Sequence, residues 1–291
     1  MNDTPKQGML YLCATPIGNL SDISERVLET LRSVDIIAAE DTRNSIKLLN
    51  HFDIKKPLTS YHEYNRFDKA EELIGKMRQG CDVAVITDAG TPAISDPGQV
   101  LADMCHKAGI TVTALPGPCA LVTALAMSGI DSRRFVFEGF LPPDKKERQG
   151  ILKGLESETR TVIIYEAPHH LLGTLEQLRE HLGDREVAVC RELTKKFEEV
   201  RRMRLDEAVG FYRVNEPRGE FVLVIEGKSS DELAKEKEQA YRAMDLEEHM
   251  AMYESKGMDH KEAMKAVAAD RGVSKREIYA MLHNNNNDQG V

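Results

Sequence analysis

Short apolar runs alternate with amphipathic stretches from residue 9 to residue 226, and this alternation restricts the fold more than any other feature. It is the pattern of α/β units, in which each strand hands over to a helix that packs back on the sheet. Residues 9–14, 34–39, 82–87 and 110–115 read as buried strands. Between them, Ala70, Leu73, Ile74 and Met77 fall at i, i+3, i+4 and i+7, one face of a helix. Val100, Leu101 and Met104 continue that spacing after Asp96 and Pro97, read as an N-cap followed by proline at the first helical position. A second series follows, with strands expected at 135–138, 161–165, 187–191 and 220–226 and helices at 145–156 and 168–182. Pro116-Gly-Pro118 stands between the two series as a hinge or a tight turn. The expected division is an N-terminal α/β domain over 1–118 and a second α/β domain over 119–228.

After Lys228 the pattern stops. From 231 to 283 helix formers rich in Glu, Lys, Ala and Met take over and no strand is signalled. Residues 259–272 and 273–282 outline two helices about a glycine turn. They place a small helical domain of helix-turn-helix type over 229–291, or else a hairpin that only packs. Residues 284–291, with four consecutive asparagines, are expected to form a disordered tail. With 291 residues, 41% of them hydrophobic, the chain has enough apolar surface for two cores and an appendage. No apolar run approaches the roughly 20 residues that span a bilayer, and residues 1–6 are too polar for a secretory signal, so a cytoplasmic protein is expected. Five scattered cysteines without a C-x-x-C pair argue against a disulfide framework and against structural zinc, so no metal is expected. The net charge of -9 means that an anionic partner has to be met by local basic patches.

The chain lacks a Walker phosphate loop, a G-x-G-x-x-G turn, H-E-x-x-H and G-x-S-x-G. Its densest loop runs from Thr87 to Gly98 after a buried strand, where open α/β sheets place ligands. Gly90 and Gly98 permit close backbone approach, while Asp88, Thr91, Ser95 and Asp96 supply polar groups. Pro118 is expected to open another helix, leaving the amides of Cys119 and Ala120 free for an acceptor. Cys119 has no base nearby in sequence and reads as structural. At the end of the second strand Asp41 or Thr42 caps a helix, yet Glu40, Asp41 and Arg43 together exceed what capping needs. Residues 60–65 crowd His62 and Asn65 with two tyrosines. Between 195 and 204, Lys195, Lys196, Arg201, Arg202 and Arg204 give five basic residues in ten positions, a credible phosphate surface after a strand end.

These residues carry a resemblance. Thr15-Pro-Ile-Gly-Asn-Leu20, Glu40-Asp-Thr-Arg43, Ser60-Tyr-His-Glu63, the run from Asp88 to Gly98, Phe137-Glu-Gly-Phe-Leu-Pro142, Arg191-Glu-Leu-Thr-Lys195 and Gly219-Glu-Phe-Val222 closely resemble the RNA-modifying branch of the tetrapyrrole methylase family. The motifs occur in order from about residue 8 to 228, and the helical C-terminal segment fits as well. The resemblance implies two α/β domains with S-adenosylmethionine in the cleft between them. It also implies a homodimer that 2'-O-methylates a cytidine ribose in the decoding region of 16S rRNA, in the 30S subunit. Such proteins do without the usual glycine fingerprint. The chain departs from its relatives' usual pattern in three places: Cys119 stands for Ser, Glu166-Ala-Pro-His-His170 for Glu-Ser-Pro-His-Arg, and Met203 stands near a customary Gly.

On this reading the cofactor contacts are Ile17, Asp88, Gly90, Thr91, Ile94, Ser95, Asp96, Cys119, Ala120, Glu166, Gly219 and Glu220. Asp41, Arg43, His62, Glu192 and Lys195 are the catalytic candidates. A ribose hydroxyl is a very weak acid and needs a proton acceptor as the bond forms. Asp41, His62, Glu192 and Lys195 all remain open for that role. RNA contacts are expected from Asn65, Arg133, Arg134, Lys145, Lys146, Lys196, Arg201 and Arg202, with Arg148 alongside. The segment 231–291 has nine Lys/Arg against thirteen Asp/Glu, so there only a local face, with Lys261, Lys265, Lys275 and Arg276, is basic. The same fold also serves small-molecule methylases acting on corrin or porphyrin precursors, which is the competing reading.

Overall fold

A computed structural model describes residues 7–285. The polar start at 1–6 and most of the expected tail, 286–291, lie outside the described residues, while residues 284 and 285 close the last helix. The described chain divides into two compact units, 7–156 with 160–226 and 157–159 with 227–285.

The first unit contains two five-stranded sheets. In chain order the first sheet is built from β1 (Leu10–Cys13), α1 (Glu25–Ser33), β2 (Ile36–Ala39), α2 (Thr42–His51), β3 (Leu58–Ser60), α3 (Arg66–Arg78), β4 (Val83–Ile86), α4 (Gly98–Lys107) and β5 (Val112–Leu115). All five strands are parallel, in the order β3-β2-β4-β1-β5. Both faces are covered, which is why the inner strands β2, β4 and β1 are near-continuous apolar runs, while the edge strands β3 and β5 carry Thr59, Ser60 and Thr113. Leu10, Leu12, Val83 and Val85 face Leu73, Met77 and Leu101 on one side. On the other side Cys13, Ile37 and Ile86 face Val27, Leu31 and Leu49.

The second sheet follows α5 (Ala120–Ser128) and consists of β6 (Phe135–Phe140), α6 (Lys145–Leu155), β7 (Thr161–Glu166), α7 (Pro168–Leu182), β8 (Glu186–Arg191), β9 (Glu199–Arg204), α8 (Leu205–Val214) and β10 (Phe221–Ile225). Its order is β6-β7-β10-β8-β9, with only β6 and β7 parallel. Residues of α6, α7 and α8 cover one face, with Leu152, Leu171 and Leu205 in one cluster. Leu121 and Leu125 of α5 cover the other, against Ile163, Ala188 and Val224. The residues after Pro116-Gly-Pro118 thus pack on the second sheet.

Three local expectations need correction. Helix α4 is capped at Pro97, one residue later than read, and α5 at Cys119, two residues later, so Pro118 precedes its helix instead of opening it. Asp96 still receives the Gly98 amide at 2.7 Å. Residues 199–204, read as a basic run, form strand β9, paired along β8 from Glu186↔Arg204 to Arg191↔Glu199.

The second unit is helical: α9 (Ser230–Ala243), α10 (Leu246–Glu254), α11 (His260–Asp270) and α12 (Lys275–Asn285). Met250, Met264, Val267 and Ile278 form its core, and Gly272, with φ +60°, makes the turn between α11 and α12.

Candidate active site

In the order β3-β2-β4-β1-β5 the connection after β1 leads to one side of the sheet and that after β4 to the other, and the crevice outside such a switch of strand order is where open α/β sheets bind ligands. Thr15 and Gly90 exchange backbone hydrogen bonds at 2.9 and 3.1 Å, tying the loop after β1 to the loop after β4. The latter loop is strained, with Ala93 at φ +69° and Ser95 at φ +64°. Non-glycine residues hold that conformation only where their surroundings enforce it. Asp96 enforces it: its carboxylate accepts the amides of Ala93 at 3.0 Å, Ile94 at 3.1 Å and Gly98 at 2.7 Å. Thr91 donates its hydroxyl to the Pro118 carbonyl at 2.9 Å, bringing the Pro-Gly-Pro turn alongside.

The second sheet meets this crevice with one end. Because β10 runs antiparallel to β7 and β8, Phe221 pairs with Glu166 on one side and with Arg191 on the other. The ends of β7 and β8 and the start of β10 therefore lie together. Loops of both sheets enclose a cavity of about 540 Å³. Ile17, Phe140, Leu193, Phe221 and Val222 form its apolar wall, and Glu40, Asp88, Asp96, Glu166 and Glu220 add carboxylates. Tyr165 is also in the wall; its hydroxyl accepts the Leu121 amide at 3.0 Å, and burial pushes its pKa up to about 12. A second cavity of about 550 Å³ shares Glu40, Ser95 and Asp96 with the first.

Eleven of the twelve cofactor candidates line the first cavity: Ile17, Asp88, Gly90, Thr91, Ile94, Ser95, Asp96, Cys119, Ala120, Glu166 and Glu220. Gly219 does not. At φ +87° it packs against Glu192 so closely that a Cβ would sit 2.5 Å from the Glu192 Cγ. Sequence reasoning missed Phe140, Tyr165, Ala167, Pro168, Leu193, Phe221 and Val222 of the wall, and it singled out Glu40 beside Asp41 and Arg43 without giving it a role.

None of the five catalytic candidates lines either cavity; Glu192–Lys195 and Asp41–Arg43 form two fixed pairs bonded to the lining residues Glu220 and Asp88. Glu192 accepts the Glu220 amide at 3.0 Å, and Lys195 donates to Glu192 and Glu220, both at 2.8 Å. Burial alone would raise the Glu192 pKa, but the Lys195 and Glu220 hydrogen bonds outweigh it and lower it. Burial alone would lower that of Lys195, but its two carboxylate partners outweigh it and raise it. Asp41 donates its amide to Asp88 at 3.2 Å and binds Arg43 through Nε at 3.1 Å and Nη2 at 2.8 Å. The Arg43 hydrogen bonds bring the Asp41 carboxyl down to about 2. Glu40 goes the other way: partial burial, then the charges of Asp88 and Asp96, raise its pKa. Asn65 is occupied within its turn, accepting the His62 amide at 2.8 Å and donating to Ser60 at 3.3 Å. His62 keeps a buried Nδ1 without a partner among the described residues.

The basic residues divide into paired and open ones. Arg133 pairs with Asp131, Arg201 with Glu199, Arg202 with Glu186 and Arg204 with Asp184. Lys196 lies over the Phe197 ring at 5.6 Å. Arg134, Lys145 and Lys146 are exposed, and so in the second unit are Lys261, Lys265, Lys275 and Arg276. Among the described residues no group of His, Cys, Asp or Glu is arranged to hold a metal ion, and no helix is long and apolar enough to cross a membrane.

Comparison with known proteins agrees with this architecture. The sequence matches the family described as Tetrapyrrole (Corrin/Porphyrin) Methylases over residues 9–209. It is 46% identical to ribosomal RNA small subunit methyltransferase I of Bacillus subtilis (strain 168), over 97% of this chain and 96% of that protein. The protein of the same name from Synechocystis sp. is 44% identical over 94% and 97%. That of Escherichia coli O157:H7 is 48% identical over 78% and 80%. Among solved structures, diphthine synthase superposes with a TM-score of 0.61 at 14% identity, over 75% of this chain and 90% of the other. Uroporphyrin-III-C-methyltransferase from Thermus thermophilus gives 0.54 at 20%, over 75% and 94%. Fold, family match and long, highly similar relatives agree: this chain belongs to the tetrapyrrole (corrin/porphyrin) methylases.

Proposed function

We propose that the chain is an S-adenosylmethionine-dependent methyltransferase of small-subunit rRNA, acting as a homodimer on the 2'-hydroxyl of a cytidine in the decoding region of 16S rRNA. Its relatives carry the reading: proteins 44–46% identical along 94–97% of the chain bear the name of a small-subunit rRNA methyltransferase. The small-molecule alternative rests on solved structures at 14–20% identity, which share the fold and carry no substrate information. In this reading the two sheets are separate domains that meet near residue 118.

The first cavity suits the methyl donor. Its volume of about 540 Å³ lies within the range of small-molecule sites. Gly90, at φ +89°, leaves room that a Cβ would fill, 3.3 Å from Ile17 Cγ2 and 3.7 Å from the Pro118 carbonyl. Asp88, Glu166 and Glu220 offer acceptors to a cationic ligand with several donor groups, and Ile17, Leu193 and Val222 provide apolar surface. The amides of Cys119 and Ala120, at the start of α5, are available to acceptor atoms. Bound there, the donor supplies an electrophilic methyl on a sulfonium.

The protein's remaining tasks are alignment and proton removal. Asp41 and Lys195 are poor proton acceptors: the first is an ion-paired carboxylate with a pKa of about 2, the second a cation held charged by two carboxylates. Glu192 is occupied by Lys195 and the Glu220 amide, and His62 lines neither cavity. Glu40 faces both cavities, and its raised pKa makes it a stronger base than an ordinary carboxylate. We assign it the 2'-hydroxyl proton, with Asp41–Arg43 and Glu192–Lys195 orienting the ribose and its phosphates. RNA is held electrostatically, chiefly by the open residues Arg134, Lys145 and Lys146, joined by Arg133, Lys196, Arg201 and Arg202 as their partners yield to phosphate.

A substrate competition tests the reading. The chain is given radiolabelled S-adenosylmethionine with either 30S subunits lacking the modification or a porphyrinogen. Label in 16S rRNA supports it; label only in the tetrapyrrole overturns it.

A further inference from the structure

We infer that Thr174 and Arg148 are positioning residues for the methyl-donor cavity, acting through the buried carboxylate of Glu166; the inference rests on the donor reading above. Glu166, at the end of β7, is 5% exposed and forms part of the cavity wall. One carboxylate oxygen, Oε1, accepts the Ala167 amide at 2.8 Å. The other, Oε2, accepts the Thr174 hydroxyl at 2.5 Å. Thr174 lies on α7 and is fully buried. Its hydroxyl oxygen also receives Arg148 Nη2 at 2.6 Å. Arg148 lies on α6 and places its Nε 2.5 Å from Gln177 Oε1.

The direction of this chain of hydrogen bonds is forced. Arginine can only donate, so the Thr174 oxygen accepts from it and commits its one hydrogen to Glu166. A cation-polarised hydroxyl donates more strongly than an isolated one. The Glu166 carboxylate is thereby fixed by two donors, and the turn into α7 is fixed with it, since Ala167 and Pro168 continue the wall. A carboxylate has about four acceptor positions, so those left over are available to donor groups of the ligand. Arg148, grouped by the sequence with the phosphate contacts, is engaged inward instead.

Isothermal titration with S-adenosylmethionine and with S-adenosylhomocysteine tests the inference on the full chain. Thr174→Val keeps shape and burial but removes the hydroxyl; Thr174→Ser restores it. The expected result is a Kd about 10-fold weaker for Thr174→Val, wild-type binding for Thr174→Ser, and an unchanged KM for 30S subunits. Arg148→Met should weaken donor binding in the same direction. Combined with Thr174→Val it should add nothing, because Arg148 acts through the hydroxyl. Wild-type donor affinity in folded Thr174→Val overturns the inference. So does a loss that Thr174→Ser fails to restore, or one that appears in the 30S KM as strongly as in donor binding. Should the wild-type chain itself bind neither compound, the donor reading of the cavity falls, and this inference with it.

Discussion

Gly18 is the point at which the loop after β1 touches the loop after β8, and replacing it with alanine measures how much the cavity depends on that contact. A Cβ at Gly18 would lie 2.3 Å from Lys195 Cγ, 2.9 Å from Thr194 Oγ1 and 3.2 Å from the Leu193 carbonyl oxygen. None of these atoms moves freely. Lys195 is held at its far end by Glu192 and Glu220, both at 2.8 Å. The turn that carries it has Glu192 at φ +50° and Thr194 at φ +66°, conformations with little slack for non-glycine residues. Inserting a methyl group into such a contact costs about 1–3 kcal/mol. The displacement falls on the cavity, because Ile17 and Leu193 both lie in its wall and pack in one cluster with Leu121 and Val222. Expressed entirely in ligand affinity, that cost is a Kd for S-adenosylmethionine about 5- to 150-fold weaker. The assay is isothermal titration together with urea denaturation, with Gly75→Ala as control. Gly75 lies within α3 with nothing within 4 Å of its would-be Cβ, so alanine there should stabilise the fold by about 0.5–1 kcal/mol. If Gly18→Ala keeps both wild-type affinity and wild-type denaturation midpoint, the loops do not meet as described.

Three further outcomes are expected. In single-turnover methyl transfer the wild-type rate should fall as pH drops through the raised Glu40 pKa, because the base must be ionised to accept a proton. Glu40→Gln should lower the rate about 100-fold or more and abolish that acid limb while S-adenosylmethionine still binds; an unchanged pH profile would exclude Glu40 as the base. The salt dependence of 30S affinity should be steep, and Lys145→Ala/Lys146→Ala should flatten it more than Arg201→Ala, whose guanidinium already pairs with Glu199; the reverse ranking would place the RNA on β9. Cys119→Ser should leave S-adenosylmethionine affinity within about twofold, since residue 119 is expected to act through its amide; a larger loss, read by titration, would give the thiol itself a role.

The parts of the fold open to sequence reading were those where one physical rule dominated. Strands of the first sheet are buried on both faces, so runs such as Val83–Ile86 are apolar without interruption and stand out. Strand β9 escaped notice because it pairs only with β8 and carries Arg201, Arg202 and Arg204 on an edge, where the ion-pair partners of Arg202 and Arg204 come from segments 16 and 20 residues away. Strand β3, Leu58–Ser60, is too short to show a period. Polar loop residues of the cavity, such as Asp88, Thr91 and Asp96, could be picked out because nothing in a core explains them. Phe140, Tyr165, Phe221 and Val222 could not: an apolar residue at a strand end looks the same whether it faces a neighbour or a ligand. Arg148 was misplaced for a related reason, since its partners Thr174 and Gln177 lie 26 and 29 residues away and leave no local trace.

A crystal structure of the chain with S-adenosylhomocysteine would probe the donor site most directly. The ligand should lie against residues 88–96, 119–120 and 166–168, with Glu166 still bonded to Thr174. Density for the ligand at any other place, or that crevice closed by side chains while the compound is bound in solution, would contradict the assignment of the cavity.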